Sequence, residues 1–103
     1  MTGVPTTAAP PLEEAAELLR ALASPHRLAI VRELDGHARC VHELVDALGV
    51  SQPLVSQHLR ILRASHVVHA ERRGREIAYS LSDGHVAHIV RDAVVHAAHG
   101  VMR

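Results

Sequence analysis

A single aromatic residue, Tyr79, serves the whole of this 103-residue chain, and that shortage constrains the fold more than any other feature. With no Phe or Trp, a core has to be assembled from Leu, Val, Ile and Ala. Side chains of that size fill the stripe of an amphipathic helix well, so the chain is expected to be mainly helical. Hydrophobic residues make up 48% of it, enough for one small domain, and a domain this short is modestly stable unless it dimerises.

The apolar spacing bears this out. Residues 1–11 are rich in Thr, Ala, Gly and Pro and show no periodicity, which predicts a disordered N-terminal arm preceding one domain over 12–103. From Leu12, a helical repeat runs through Ala15, Ala16, Leu19 and Leu22, with Glu13 and Glu14 in its first turn. Ser24-Pro25 caps a second helix carrying Leu28, Ile30, Val31 and Leu34, and Asp35-Gly36 ends it. His37–Arg39 reads as a short extended piece. A third helix is predicted over Cys40–Leu48 and a fourth from Ser51 to about Ala64, joined by the tight turn Gly49-Val50. Ser51 suits the cap position, and Pro53 is tolerated because it falls in the first turn. Two short helices linked in this way form a helix-turn-helix.

Residues 67–71 and 76–80 read as strands of a β-hairpin with a basic tip, Arg72-Arg73-Gly74-Arg75. A last helix opens at Ser82 or Asp83 and is expected to run to about His99, with Gly100 as its stop.

Wound at 100° per residue, the fourth helix separates two faces. Val55, Leu59 and Leu62 cluster on one side and are expected to pack against Leu44 and Leu48. Gln52, Pro53, Ser56, Gln57, Arg60 and Arg63 share the opposite arc, beside the cap Ser51. Gln pairs with adenine edges, and Ser or Arg reaches bases or phosphates. The hairpin adds Arg72, Arg73 and Arg75, suited to phosphate or minor-groove contacts. The formal net charge is zero, yet from Arg60 through Arg75 five Arg stand against one Glu. The neutral total therefore conceals a positive face directed at a nucleic acid.

Histidine supplies ten residues. On the last helix His85, His88, Asp92, His96 and His99 share one arc, beside an apolar arc of Val86, Ile89, Val90, Ala93, Val94 and Ala97. Asp83 and His99 are sixteen residues apart, about 24 Å along a helix, too far for one ion to span. Asp83/His85 and His96/His99 become one donor set only if two such helices pair antiparallel, which gives a symmetric homodimer with two inter-subunit sites. A carboxylate with three imidazoles suits tetrahedral Zn(II), and Co(II) or Ni(II) use similar atoms. Asp92 and His88 are left as supporting or additional donors, and a pH-sensitive packing seam is the alternative use of the imidazoles. Cys40, the single cysteine, excludes an internal disulfide. It reads as a buried thiol, and His42 as an incidental surface group. The N-terminus lacks a signal-like segment and no run approaches a membrane span, so a cytoplasmic location without membrane partners is expected.

Four segments together resemble the ArsR/SmtB family of metal-responsive winged-helix repressors over about residues 12–99: Leu19-Arg20-Ala21-Leu22-Ala23-Ser24-Pro25-His26-Arg27; Gln52-Pro53-Leu54-Val55-Ser56-Gln57-His58-Leu59-Arg60-Ile61-Leu62; Arg73-Gly74-Arg75-Glu76-Ile77-Ala78-Tyr79; and Asp83-x-His85 with His96-x-x-His99. The resemblance implies a winged helix-turn-helix, mainly α with a β-hairpin wing, ordered α-α-α-α-β-β-α and homodimeric. It also implies operator DNA as partner, with metal at the paired terminal helices releasing it. The family's thiolate branch carries Cys-x-Cys in the third helix, where this chain reads Cys40-Val41-His42. Nickel and cobalt sensors add ligands beyond the last helix or from the N-terminus. Neither is present here, so a zinc-released repressor is expected. The alternatives are a nickel or cobalt sensor of the same architecture and a dimeric interaction module that binds metal incidentally and no DNA. An enzyme is not expected: no His-Glu-x-x-His occurs, and so small a helical dimer leaves little room for a substrate pocket.

Overall fold

The computed structural model describes residues 9–101; residues 1–8 of the expected arm lie outside the described residues. Five helices and three strands follow in the order α1 (Leu12–Leu22), α2 (Pro25–Leu34), β1 (Arg39–Cys40), α3 (Val41–Leu48), α4 (Gln52–Ala64), β2 (Val68–Arg73), β3 (Glu76–Leu81) and α5 (Gly84–Val101) among the described residues. The expected order holds, with the extended piece before α3 realised as a two-residue strand that starts two residues later than expected, and α3 starting at Val41 in place of Cys40.

Local chemistry sets the boundaries. The Ser24 hydroxyl accepts the Arg27 backbone N–H at 3.2 Å, with Pro25 opening α2. Gly36 and Gly49 hold φ of +81° and +71°, backbone positions that a side chain disfavours. The Gly49 N–H closes α3 on the Val45 carbonyl at 2.8 Å. Ser51 then accepts from the Leu54 N–H at 3.4 Å to start α4.

The core is built as the composition requires. Ile30, Val31 and Leu34 of α2 meet Leu44 of α3, Val55, Leu59 and Leu62 of α4, Val67 and Val68, and Val86 and Val90 of α5, all buried. Tyr79 packs at its edge. The α4 face expected to point inward does so. On α1, however, Leu12 and Leu19 of the apolar repeat stay 69% and 55% exposed, while Ala21 and Leu22 enter the core and Leu18 packs beside it. The helix docks by its C-terminal end and leaves much of its stripe uncovered.

The strands form one antiparallel sheet in the order β1-β3-β2. Its hairpin is longer and its tip tighter than expected. Arg72 and Arg73 lie within β2, Arg73 pairs with Glu76 in register, and Gly74 turns the chain at φ +62°. Gly100 does not stop the last helix, which continues through it to Val101. Its φ is not positive, so glycine here is a tolerated helical residue. Among the described residues no helix is long and apolar enough to cross a membrane.

Candidate nucleic-acid interface and metal centre

With Val55, Leu59 and Leu62 anchored in the core, the opposite side of α4 is left outward. Gln52, Pro53, Gln57, Arg60 and Arg63 are exposed, as is the cap Ser51, and Ser56 is half-buried. The six expected side chains of the polar arc therefore sit on one accessible helix face. Arg72, Arg73 and Arg75 are exposed on the wing. Successive strand residues alternate between sheet faces, so Arg72 and Arg73 project to opposite sides. Arg73 shares its side with Glu76, its cross-strand partner, and only one of the two arginines faces a given groove or backbone.

Glu76 organises a second small site. The Cys40 thiol is half-buried at the start of α3, not fully buried as expected. A hydrogen bond to Glu76 is the chief reason its pKa is pushed up to about 11, with burial and the negative charges of Glu76 and Glu43 adding to the effect. The Cys40 backbone N–H donates to Glu43 Oε1 at 2.8 Å. His42 Nδ1 lies 3.6 Å from Glu76 Oε2, so His42 bridges α3 to the wing instead of standing alone. A thiol held protonated in this way is a weak nucleophile near neutral pH.

At the root of α5 the Asp83 carboxylate acts as N-cap: Oδ1 accepts the backbone N–H of His85 at 2.9 Å and of Val86 at 3.3 Å. The same oxygen lies 3.5 Å from His85 Nδ1. Asp83 and His85 are thus brought together, and Asp83 Oδ2 is left out of the cap. One and a half turns beyond the midpoint, His96 and His99 lie exposed on the same helix, as do His88 and Asp92. Val86 and Val90 on the adjoining arc are buried, with Ile89 and Val94 half-buried. Among the described residues, no three His, Cys, Asp or Glu side chains of one chain converge on a point where an ion fits. The two halves of the donor set stay apart, as a helix of this length dictates.

Three contacts that the sequence does not announce fix this root. Ser82 donates its hydroxyl to the His66 carbonyl at 2.7 Å and its backbone N–H to the Val67 carbonyl at 2.9 Å. His66, just past α4, holds φ +61°, an unusual conformation for a residue with a Cβ. Arg91 of α5 reaches Asp35 Oδ2 at 2.8 Å at the end of α2. None has a short-range sequence signature, since the partners stand 15 to 56 residues apart.

A helix-turn-helix followed by an arginine-bearing hairpin and a terminal helix is the winged helix-turn-helix class of regulators. Residues 24–70 match the family described as bacterial regulatory protein, arsR family. The HTH-type transcriptional repressor SmtB of Mycobacterium tuberculosis is 64% identical over 97 residues, spanning 90% of this chain and 72% of the relative. The HTH-type transcriptional regulator NmtR of the same organism is 42% identical over 86 residues, spanning 84% and 72%. Among solved structures, the homodimeric winged helix-turn-helix DNA-binding domain Mb0332 of Mycobacterium bovis superposes with a TM-score of 0.76 at 29% identity, over 94% of this chain and 90% of that one. The chain belongs to the ArsR family of transcriptional regulators.

Proposed function

We propose that this chain is a zinc-responsive repressor that binds operator DNA as a metal-free homodimer and is released by Zn(II). The observation that carries this reading is the divided donor set on α5: two pairs of exposed ligand side chains that one chain cannot close, on a helix a second copy can pair with. In an antiparallel pair, Asp83 and His85 of one subunit meet His96 and His99 of the other, twice per dimer. The donors fit the metal. A carboxylate and three imidazoles with no thiolate suit four-coordinate Zn(II), and Co(II) or Ni(II) remain rival occupants tested alongside it. Exposed apolar side chains Leu12 and Leu19 on α1 and Val95 on α5 supply surface for the dimer contact. That the related SmtB is a repressor and Mb0332 a homodimeric DNA-binding domain supports the same reading. The domain over 12–103 and a cytoplasmic location go with it.

For DNA, Gln52, Pro53, Ser56, Gln57, Arg60 and Arg63 of α4, with Ser51 at its cap, are proposed to enter the major groove. Arg72, Arg73 and Arg75 are proposed to grip flanking phosphate or minor groove. Ser82 joins the root of the ligand-bearing helix to the turn after α4, so a change in how the two α5 helices pair bears on α4. By linkage, metal and DNA weaken each other's binding by the same factor.

The test is fluorescence anisotropy on the protein's own upstream region, first with chelator and then with stoichiometric Zn(II), Co(II) or Ni(II). A tight apo complex that Zn(II) dissociates most effectively is the expected result. Release by Ni(II) or Co(II) alone reassigns the metal, and no sequence-selective binding leaves only a dimeric interaction module.

A further inference from the structure

Between α2 and α4 lies a cluster used neither by the outward arc of α4 nor by the histidine helix. His58 Nδ1 stands 3.1 Å from Arg27 Nη1. Arg27 is itself held, its Nε–H donating to the Ala21 carbonyl at 2.6 Å. The His26 ring packs against His58 with centroids 5.4 Å apart and planes tilted by 52°. A guanidinium offers only N–H donors. His58 Nδ1 therefore accepts, which fixes the neutral tautomer with its proton on Nε2. That Nε2 is buried and has no hydrogen-bond partner, so the ring gives up one polar contact to keep the other.

We propose that His58 and Arg27 form an acid-sensitive latch that positions the readout helix, holding α4 against α2 only while the imidazole is neutral. A protonated imidazole has two donors and no acceptor. Its Nδ1–H would meet an N–H of Arg27 head-on, cation against cation, in a partly buried seam. The charged and titratable groups facing His58 are Arg27 and His26, both on α2. Burial first, then the Arg27 guanidinium, then the His26 ring hold the His58 pKa below its ordinary 6.5. The sign follows from linkage: below about 6.5 the unfolded chain takes up a proton that the folded one refuses. The latch is fully present above that pH and is lost as pH falls through the folded-state pKa.

The consequence for operator binding rests on the DNA-reading role proposed above. Gln57 adjoins His58 and Arg60 follows two residues later, so freeing this seam disorders the face that reads DNA. Ordinary electrostatics predicts the reverse, because exposed histidines gain positive charge on acidification and are drawn to phosphate.

The experiment compares the full chain with His58→Asn, whose side-chain oxygen keeps an acceptor beside Arg27 but does not titrate. Operator binding is measured by anisotropy with EDTA at constant ionic strength from pH 8 to pH 5. The wild-type to variant affinity ratio is expected near one at pH 8 and to fall progressively below pH 6.5, with the largest loss at pH 5. A ratio that stays flat overturns the latch. Nitrogen-detected NMR of the wild-type histidines gives a second reading that needs neither variant nor DNA. A neutral His58 protonated on Nε2 and titrating below 6.5 supports the latch, whereas an Nδ1–H tautomer or titration above 6.5 overturns it. If neither protein binds the operator at pH 8, the DNA-reading role fails, and the NMR titration still decides the latch.

Discussion

Asp83 holds two duties that substitution can separate. In the folded chain its Oδ1 satisfies two backbone N–H groups at the start of α5, those of His85 and Val86. Removing an N-cap side chain costs about 1 kcal/mol. Loss of a negative charge at the positive end of a helix adds about 0.3–1 kcal/mol, the lower end applying to a side chain this exposed. Asp83→Ala is therefore expected to destabilise the metal-free protein by about 1.5 kcal/mol, and Asp83→Ser, which keeps an oxygen at the cap, by about 0.5 kcal/mol. In a domain of this size 1 kcal/mol corresponds to about 4–8 °C in Tm, so the two variants differ by several degrees in EDTA. Both lose the carboxylate proposed as ligand. Saturating Zn(II) at about 100 times Kd stabilises a competent site by about 2.7 kcal/mol, and neither variant should show that rise. Circular dichroism at 222 nm is the suitable probe, because Tyr79 alone gives little aromatic signal. Protomer concentration has to be held fixed, since dimer stability depends on it. A full zinc-induced rise in Asp83→Ser refutes the ligand role. Equal stability of Asp83→Ala and wild type in EDTA refutes the capping argument.

His96→Ala should bind operator as the wild type does in EDTA but fail to release it on adding Zn(II), a difference read by anisotropy. Arg73→Ala should weaken binding to unrelated DNA sequences alike and lower the slope of log K against log salt by about 0.9, the contribution of one phosphate contact. Glu76→Gln removes the main cause of the high Cys40 pKa of about 11 against an ordinary 9.0. The rate of alkylation by iodoacetamide at pH 8 should rise, by up to about a hundredfold if the pKa returns fully. At Gly49, φ is +71° and no atom lies within 4 Å of an added Cβ. Gly49→Ala should therefore cost only the left-handed backbone penalty, about 1–2 kcal/mol, measurable as a lower Tm.

What the sequence revealed was whatever acts over short distances. Ser24, Gly49 and Ser51 mark helix ends through bonds to residues three or four positions away, and the α4 wheel correctly turns Val55, Leu59 and Leu62 inward. Periodicity also reveals that α1 is amphipathic but not what covers the stripe, and Leu12 and Leu19 remain outside the chain's own core. The position of the hairpin is legible in the sequence, but pairing through Arg73 and Glu76 depends on backbone register, and the turn is narrower than the four-residue basic tip the pattern suggests. Gly100 carries a stop signal that is only a preference, and α5 passes through it. Contacts such as Arg27 with His58 and Arg91 with Asp35 join residues 31 and 56 positions apart, beyond the reach of any local pattern. At the candidate metal centre, spacing alone already indicated that one chain cannot complete the set. The sequence offers Ser82 or Asp83 as the opening of the last helix, and only the backbone geometry selects the Asp83 carboxylate as the cap.

The sheet order β1-β3-β2 leaves β2 with a neighbour on one side only. Its other edge carries unpaired backbone donors and acceptors of the kind that templates strand addition from another molecule. Glu71, Arg72 and Arg73 occupy the outer half of that edge and are all exposed, and charged side chains there discourage sheet-to-sheet growth. The wing arginines are thus placed to discourage edge-to-edge pairing in concentrated solution, besides the DNA contacts proposed for them. Neutral replacements meant to retune operator preference will therefore also erode colloidal stability, so new wing sequences are best chosen among those that keep a charge at 72 or 73.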